Sequence, residues 1–557
     1  MRIFRGLWII AIGIWFLVEA AAAAVDAEHP DQARPALVEI FDAFLENKAP
    51  AAWNANFNDP NAPNHGLQDY SKSANKARLK RLRDLRKALN DLNVDDWSQR
   101  DQVDFLAVRA QLDAEEFRLR VSRPWARDPG FYVDQLLRFA FVELPVDGEE
   151  KAKLERQLAA ASVIVENAKS NLDSVARDYA LLAIHNLTTA DGVGHGHPYR
   201  AAPPAGVIGW YDDLRARAAV FQPELVGAVD AAKASIESYL VWLESGLNDF
   251  DEAAGVGEAH YDWYLKYAKL MPYRGRELTL IADREWERLM SFYAIAQHRN
   301  RALDDLAPAD NKEDYERRIS ETDRHIRAFL KNEDIITIPD YVGVLGFNAP
   351  FIERPQGLNF WEQIQFRDPH PDHLHAVIPG HRFDKLVEDN NDHPIRSRIR
   401  DGVRVEGWAT YLEEAMLQAG VLEERPQVDE LIYLFGIFRA ARVPADVGMQ
   451  FNEMTVQEAV DFMRAKTPWL DENVARVDAE IYLRRPPGYG VGYTIGALQM
   501  RKLLADYRET MGDAFEMRTF HDDFMAMGRL PISLIRWEMT GRDDEIEALW
   551  EWRPIPD

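Results

Sequence analysis

The chain contains no cysteine. Disulfide staples, thiol nucleophiles and thiolate metal ligands are thereby excluded, and stability must come from the core. It also lacks a surplus of positive charge: 92 acidic residues face 66 basic ones, a formal charge of −26. Affinity for nucleic acid comes largely from Lys and Arg neutralising phosphates, so that class of partner is set aside. No internal repeat, low-complexity tract or long linker divides the sequence. The apolar run Leu7 to Val18 is too short to span a bilayer comfortably. Arg2 and Arg5 precede it and the small residues Ala20 to Ala24 follow it, the pattern of an export signal. Residues 1–24 are therefore expected to be a signal peptide, and the mature chain to be periplasmic or secreted with no stable membrane span. An uncleaved anchor is the alternative, and the lack of a cysteine after the run argues against a lipid anchor.

What is present is size, helical periodicity and aromatic bulk. The chain has 557 residues, with 15 Trp, 19 Tyr and 26 Phe, which suits a large helical core or an aromatic-lined cleft. Apolar residues recur at three- and four-residue steps over 76–92, 101–121, 149–183, 223–247, 277–299 and 310–330, each predicting a helix. Extended signals appear at 335–338 and 341–345, flanking Pro339-Asp340, with a third piece at 363–366. The expectation is a mainly α protein: one large helical body over 28–557, with a small β-sheet beside the active-site cleft. His195 and His197 lie in a Gly- and Pro-rich stretch that reads either as a crossing loop or as a second metal site.

Only 14 histidines occur in the chain, yet four of them, His370, His373, His375 and His381, fall within twelve residues. Neutral imidazole is the commonest protein ligand for zinc and similar ions. Paired ligands on one helix usually stand four residues apart. His375 and His381 are six apart with Pro379-Gly380 between them, so a straight helix would leave them roughly 120° apart. A helix restarting near Pro379 would let both rings converge on one ion, with His370 and His373 in reserve. Glu406, 25 residues past His381, opens a helical pattern and can complete a three-ligand site with one open position. The alternative is an ordinary carboxylate at a helix N-terminus.

Two later segments add polar groups. In the apolar helix predicted over 431–450, Arg439, Arg442, Asp446 and Gln450 form one polar stripe, which either pairs internally or lines the cleft and binds substrate. The Pro487-Gly488-Tyr489-Gly490-Val491-Gly492-Tyr493 stretch offers backbone access and two tyrosine hydroxyls that can donate to an oxyanion, or else a turn with packing tyrosines.

Taken together these residues resemble the bacterial family called domain of unknown function (DUF) 885, placed among zinc-metallopeptidase-like proteins. The family core, roughly HEAxPGHH, stands here as His375 to Arg382, and its EGW motif as Glu406-Gly407-Trp408. Arg442 to Gly448, Pro487 to Gly496 and Phe520-His521-Asp522 with Gly528, Leu530 and Pro531 match its later segments. The resemblance implies a helical fold and a zinc site of His375, His381 and Glu406. It also exposes departures. Ala376 stands where the family has the glutamate that would act as general base, and alanine takes no proton. Arg382 replaces a histidine, a change that would favour an anionic substrate. Gln450 and Tyr489 replace a common histidine and glutamine.

Two functional expectations follow. One is a zinc-dependent hydrolase-like protein or lyase, acting on an amide, peptide or ester, with a substitute acid or base among His373, Glu413, Tyr489 and Tyr493. The other is a degenerate relative that binds a small molecule or short peptide without turnover.

Overall fold

The computed structural model describes residues 34–48, 55–59, 61–190, 200–346 and 349–557. The expected signal peptide and the pair His195 and His197 lie outside the described residues. Helix follows helix, beginning with Pro35–Asn47, Lys72–Asn90 and Gln99–Phe117. Gly148–Asn171, Arg177–Thr188, Gly206–Phe221 and Val226–Gly246 come next. One continuous apolar cluster contains residues from Leu37 to Leu549, so both ends of the described chain contribute to the same core. No helix among the described residues is long and apolar enough to cross a membrane.

Eight helices build the part of interest: α1 (Gly275–Asn300), α2 (Lys312–Asn332), α3 (His370–Ala376) and α4 (His381–Glu388), then α5 (Gly402–Ala419), α6 (Val428–Gln450), α7 (Glu472–Arg484) and α8 (Gly492–Met511). The side chain of Asp401 caps α5 by accepting from the Arg404 N–H, and Gly420, with φ of 103°, ends it. The most extensive contacts are α1 with α6 and α5 with α8. The second pair crosses at two glycines. A Cβ on Gly407 would lie 2.6 Å from the Gly496 backbone, and one on Gly496 would lie 2.5 Å from the Val403 carbonyl oxygen. Only glycine allows helix backbones this close.

Three sequence expectations need correction. The small β-sheet is absent: the described residues contain no strand, only an isolated bridge between Ala176 and Glu252. The apolar run at 335–338 buries Ile335 and Ile336, but its polar backbone groups find helix side chains instead of a ladder. Thr337 N–H and hydroxyl donate to Asp522 at 2.9 and 2.6 Å, and the Ile335 carbonyl meets His521 Nδ1 at 2.7 Å. Residues 363–365 belong to the helix Phe360–Gln365, started by a capping box of Asn359 and Glu362. The helix predicted over 149–183 breaks after Asn171, where the N–H groups of Asp173 and Ser174 both turn to the Ala126 carbonyl. Finally, α5 begins four residues before Glu406, which sits in its second turn and not at its opening.

Candidate metal centre

His375 and His381 come together because the chain folds back between α3 and α4. Gly380 is the pivot: a Cβ there would lie 1.8 Å from the His375 carbonyl oxygen, so no other residue fits. Trp408 of α5 donates its indole N–H to the Pro379 carbonyl at 2.9 Å, fixing the turn against the helix that carries Glu406. A buried ion pair joins Asp384 of α4 to Arg404 of α5, and Arg529 reaches the same carboxylate at 3.0 Å. Two polar ties therefore set the helix of His381 against the helix of Glu406.

Three donor atoms converge as a result. His375 Nε2 and His381 Nε2 stand 3.2 Å apart. Glu406 Oε2 lies 3.2 Å from His381 Nε2 and 3.7 Å from His375 Nε2. Zinc bound at 2.0–2.1 Å in a tetrahedron separates its ligand atoms by about 3.3 Å. The observed edges are close to that, and Glu406 Oε2 is buried without a hydrogen-bond partner among the described residues. This is the one group of His, Asp or Glu among the described residues that is arranged to hold a metal ion.

Protonation states suit the same role. Burial, together with the positive charges of Arg439 and His381, holds the His375 imidazole far below its ordinary value, so it stays neutral. Burial alone would raise the Glu406 carboxyl, but the close contact with His381 and the fields of His381, His375 and Arg442 bring it down to about 2. Behind His375, Nδ1 lies 2.8 Å from Glu413 Oε1 and 3.3 Å from Arg439 Nη2, contacts that demand opposite tautomers. Glu413 Oε1 is the closer of the two, although the contact falls short of hydrogen-bond geometry and burial lifts the Glu413 carboxyl to about 7. With Nδ1–H facing it, the Nε2 lone pair points at the other two donors, the arrangement by which carboxylates orient metal-binding histidines. Arg439 pairs with Glu413 in turn. His381 lacks such support, since its Nδ1 is buried without a hydrogen-bond partner among the described residues.

The remaining expected residues divide into three groups. Tyr489 and Tyr493 lie at the triad: the Tyr489 hydroxyl is 3.5 Å from Glu406 Oε1, and the Tyr493 ring stacks on the His375 ring at 6.4 Å. The stripe on α6 is buried throughout, and every member has a partner. Arg442 lies 4.4 Å from the Tyr493 ring centre and pairs with Asp478 at 2.9 Å. Gln450 donates to the carbonyls of Tyr482 and Leu483. Asp446 accepts from the N–H groups of Gly490 and Gly488 and from the Tyr261 hydroxyl, at 2.7, 3.3 and 2.9 Å. It thereby moors the turn that carries Tyr489.

The last group points away from the triad. His373 Nε2 is 2.9 Å from Asp323 of α2. His370 sits in a chain of its own, 2.6 Å from Asp368 and 2.9 Å from His325. Arg382 donates to the Leu345 carbonyl. The sequence reading missed Trp408, Asp384 and Asp323 as supports. Asp384, one turn after His381 and matched in charge to Arg404, was the most legible of them.

Asp446 also carries a pH signature. Burial outweighs its three donors and lifts its carboxyl from 3.8 to about 7. The folded state holds that proton more tightly than the unfolded chain, so the stabilisation is present below pH 4 and is lost as pH rises through 7. The urea midpoint is expected to fall between about pH 4 and 7, and Asp446→Asn to make that fall shallower, since Glu413, Asp104 and Asp128 are raised in the same direction. An unchanged slope in the variant would remove Asp446 as its source.

The chain matches no curated protein. Two solved structures share its fold. One is described as a candidate lipoprotein of unknown function from Shewanella oneidensis, 16% identical with a TM-score of 0.65, the alignment covering 90% of this chain and 99% of that one. The other is described as a candidate lipoprotein from Colwellia psychrerythraea, 15% identical with a TM-score of 0.64, covering 91% and 99%. The stretch that supplies all three converging donors, residues 373–539, matches the family described as bacterial protein of unknown function (DUF885).

Proposed function

We propose that the chain is a zinc-dependent, hydrolase-like protein that works outside the cytoplasm on an amide, peptide or ester. The carrying observation is the convergence of His375, His381 and Glu406 at near-tetrahedral spacing, with Glu413 behind His375. When bound, zinc supplies Lewis acidity toward a carbonyl and toward water. The chain's own residues do the rest. Glu413 favours the His375 tautomer that presents Nε2, and Arg439 pairs with Glu413. Tyr489 is placed to donate a hydrogen bond to an oxygen gaining negative charge beside Glu406. Tyr493 packs on the His375 ring, and Arg442 lies over Tyr493.

Proton transfer is the weak point. Ala376 presents a methyl group where a general base is needed. His373 is occupied by Asp323, and Glu413 stands behind His375. This specific lack favours the second reading, a metal-centred binding protein with little turnover.

Zinc titration of chelator-treated full-length protein tests the shared premise. One equivalent is expected to bind to the wild type and none to His381→Ala. Absence of saturable binding, or equal stoichiometry in the variant, would remove the metal from the account.

A further inference from the structure

A cavity of about 270 Å³ lies near the start of α5. It is walled by the end of the Gln99–Phe117 helix, the residues after the Glu258–Tyr267 helix, the lead-in to α5 and the turn after α7. Its charge runs against that of the whole chain: seven basic side chains line it against three acidic ones. The acids are already engaged. Asp128 pairs with Arg484 at 2.8 Å, Glu115 with Arg118 at 3.3 Å, and Asp401 caps α5 while lying 3.6 Å from Lys269. Of the four cations that remain, Arg127 is spent on the backbone carbonyls of Ala253, Ala254 and Gly255, which leaves three. Lys48, Arg400 and Arg485 have no carboxylate within ion-pair distance among the described residues, and Arg485 lies over the Tyr489 ring at 4.5 Å. An acceptor is also left over. Gln450 Oε1 is buried in the lining with no hydrogen-bond partner among the described residues, while its amide N–H groups are spent on backbone carbonyls. The side walls are apolar, with Phe117, Tyr264 and Pro487 among them.

Two stretches of chain link the cavity's lining to the triad. Arg485 stacks on Tyr489, whose hydroxyl meets Glu406. Asp401 precedes Glu406 by five residues of α5, about 7.5 Å at 1.5 Å per residue. Two extended peptide residues span about 7 Å.

We propose that this cavity binds the terminal carboxylate of a short peptide with an apolar C-terminal side chain, and so sets the substrate class of the site. The spare cations meet the carboxylate, Gln450 Oε1 accepts a peptide N–H, and the apolar walls take the side chain. A phosphate dianion fits less well, because three carboxylates share the lining and phosphate offers no N–H to Gln450. The role in substrate recognition rests on the triad being the reaction centre. The binding itself does not.

The test is calorimetric titration of full-length protein with N-acetyl-Ala-Phe and with its C-terminal amide, in zinc-free and zinc-loaded forms. The acid is expected to bind at least about tenfold more tightly than the amide in both forms. Arg400→Ala combined with Arg485→Ala should erase the difference, and the corresponding double lysine variant should keep it. Both arginines are exposed, so folding is not at stake. Equal binding of acid and amide, no binding of either, or discrimination that survives the double alanine variant overturns the proposal. Tighter binding of inorganic phosphate than of the acid overturns the carboxylate assignment. Acid preference in zinc-free protein without any hydrolysis after zinc loading leaves the subsite standing and removes only the catalytic reading.

Discussion

Ala376→Glu is expected to raise the rate of short-peptide hydrolysis by about 10²–10⁴-fold over the wild type, the usual contribution of a positioned general base. Residue 376 directly follows His375 and ends α3. It is only 6% exposed, so a carboxylate introduced there is held close to the triad's own helix and turn. The measurement is single-turnover cleavage of a peptide by zinc-loaded wild type and variant, with bound zinc quantified in both. A gain with unchanged zinc content establishes that the wild-type centre lacks chiefly its proton acceptor. No gain in a folded, zinc-replete variant would mean that the surrounding pocket has been rebuilt, and the binding-protein reading would then take precedence.

Arg439→Met is expected to destabilise the protein by about 3–5 kcal/mol, the cost of removing one partner from a buried ion pair. Arg439 and Glu413 are 2% and 2% exposed, and Arg439 also lies over the Phe435 ring at 4.9 Å. Without the guanidinium, the Glu413 carboxylate has no cation in contact and His375 loses its fixed backing. The second substitution decides the cause: Arg439→Met with Glu413→Leu should recover most of the loss, because two apolar side chains replace a pair instead of orphaning one charge. Urea unfolding at neutral pH reads both. A loss below about 1 kcal/mol, or a double variant no better than the single, would show that the pair contributes little and that His375 is oriented by packing.

The helices were legible where their apolar periodicity is strong. Their starts were less so: Asp401 and Asn359 each sit one residue before a helix and accept its early N–H groups, yet the pattern alone opens α5 at Glu406 and makes 363–366 extended. The β-sheet was misread because Ile335 to Ile338 has strand-like composition, yet the groups that satisfy its backbone, His521 and Asp522, lie far along the chain. Composition cannot reveal such partners. Around the triad, the converging residues were readable from histidine density and a well-spaced glutamate. Their supports were not. Nothing local in the sequence ties Trp408 to the Pro379 carbonyl or sends His373 to Asp323, since both contacts depend on how distant helices pack. The stripe on α6 shows the middle case: its burial was inferable from the apolar residues around it, while its partners Asp478, Gly488 and Gly490 were not.

The glycine-on-glycine crossing of α5 and α8 has a mechanical consequence. Where side chains separate two helices, a changed rotamer can absorb a small displacement. At Gly407 and Gly496 there is no such cushion, so the supports of Glu406 and Tyr493 move as a single plate. A ligand that needs more room must then gain it from the opposite side, where the backbone of the 488–490 turn is moored by one carboxylate, Asp446. Stiff floor and hinged rim predict that accommodation of differently sized guests is one-sided, with selectivity written in that short turn.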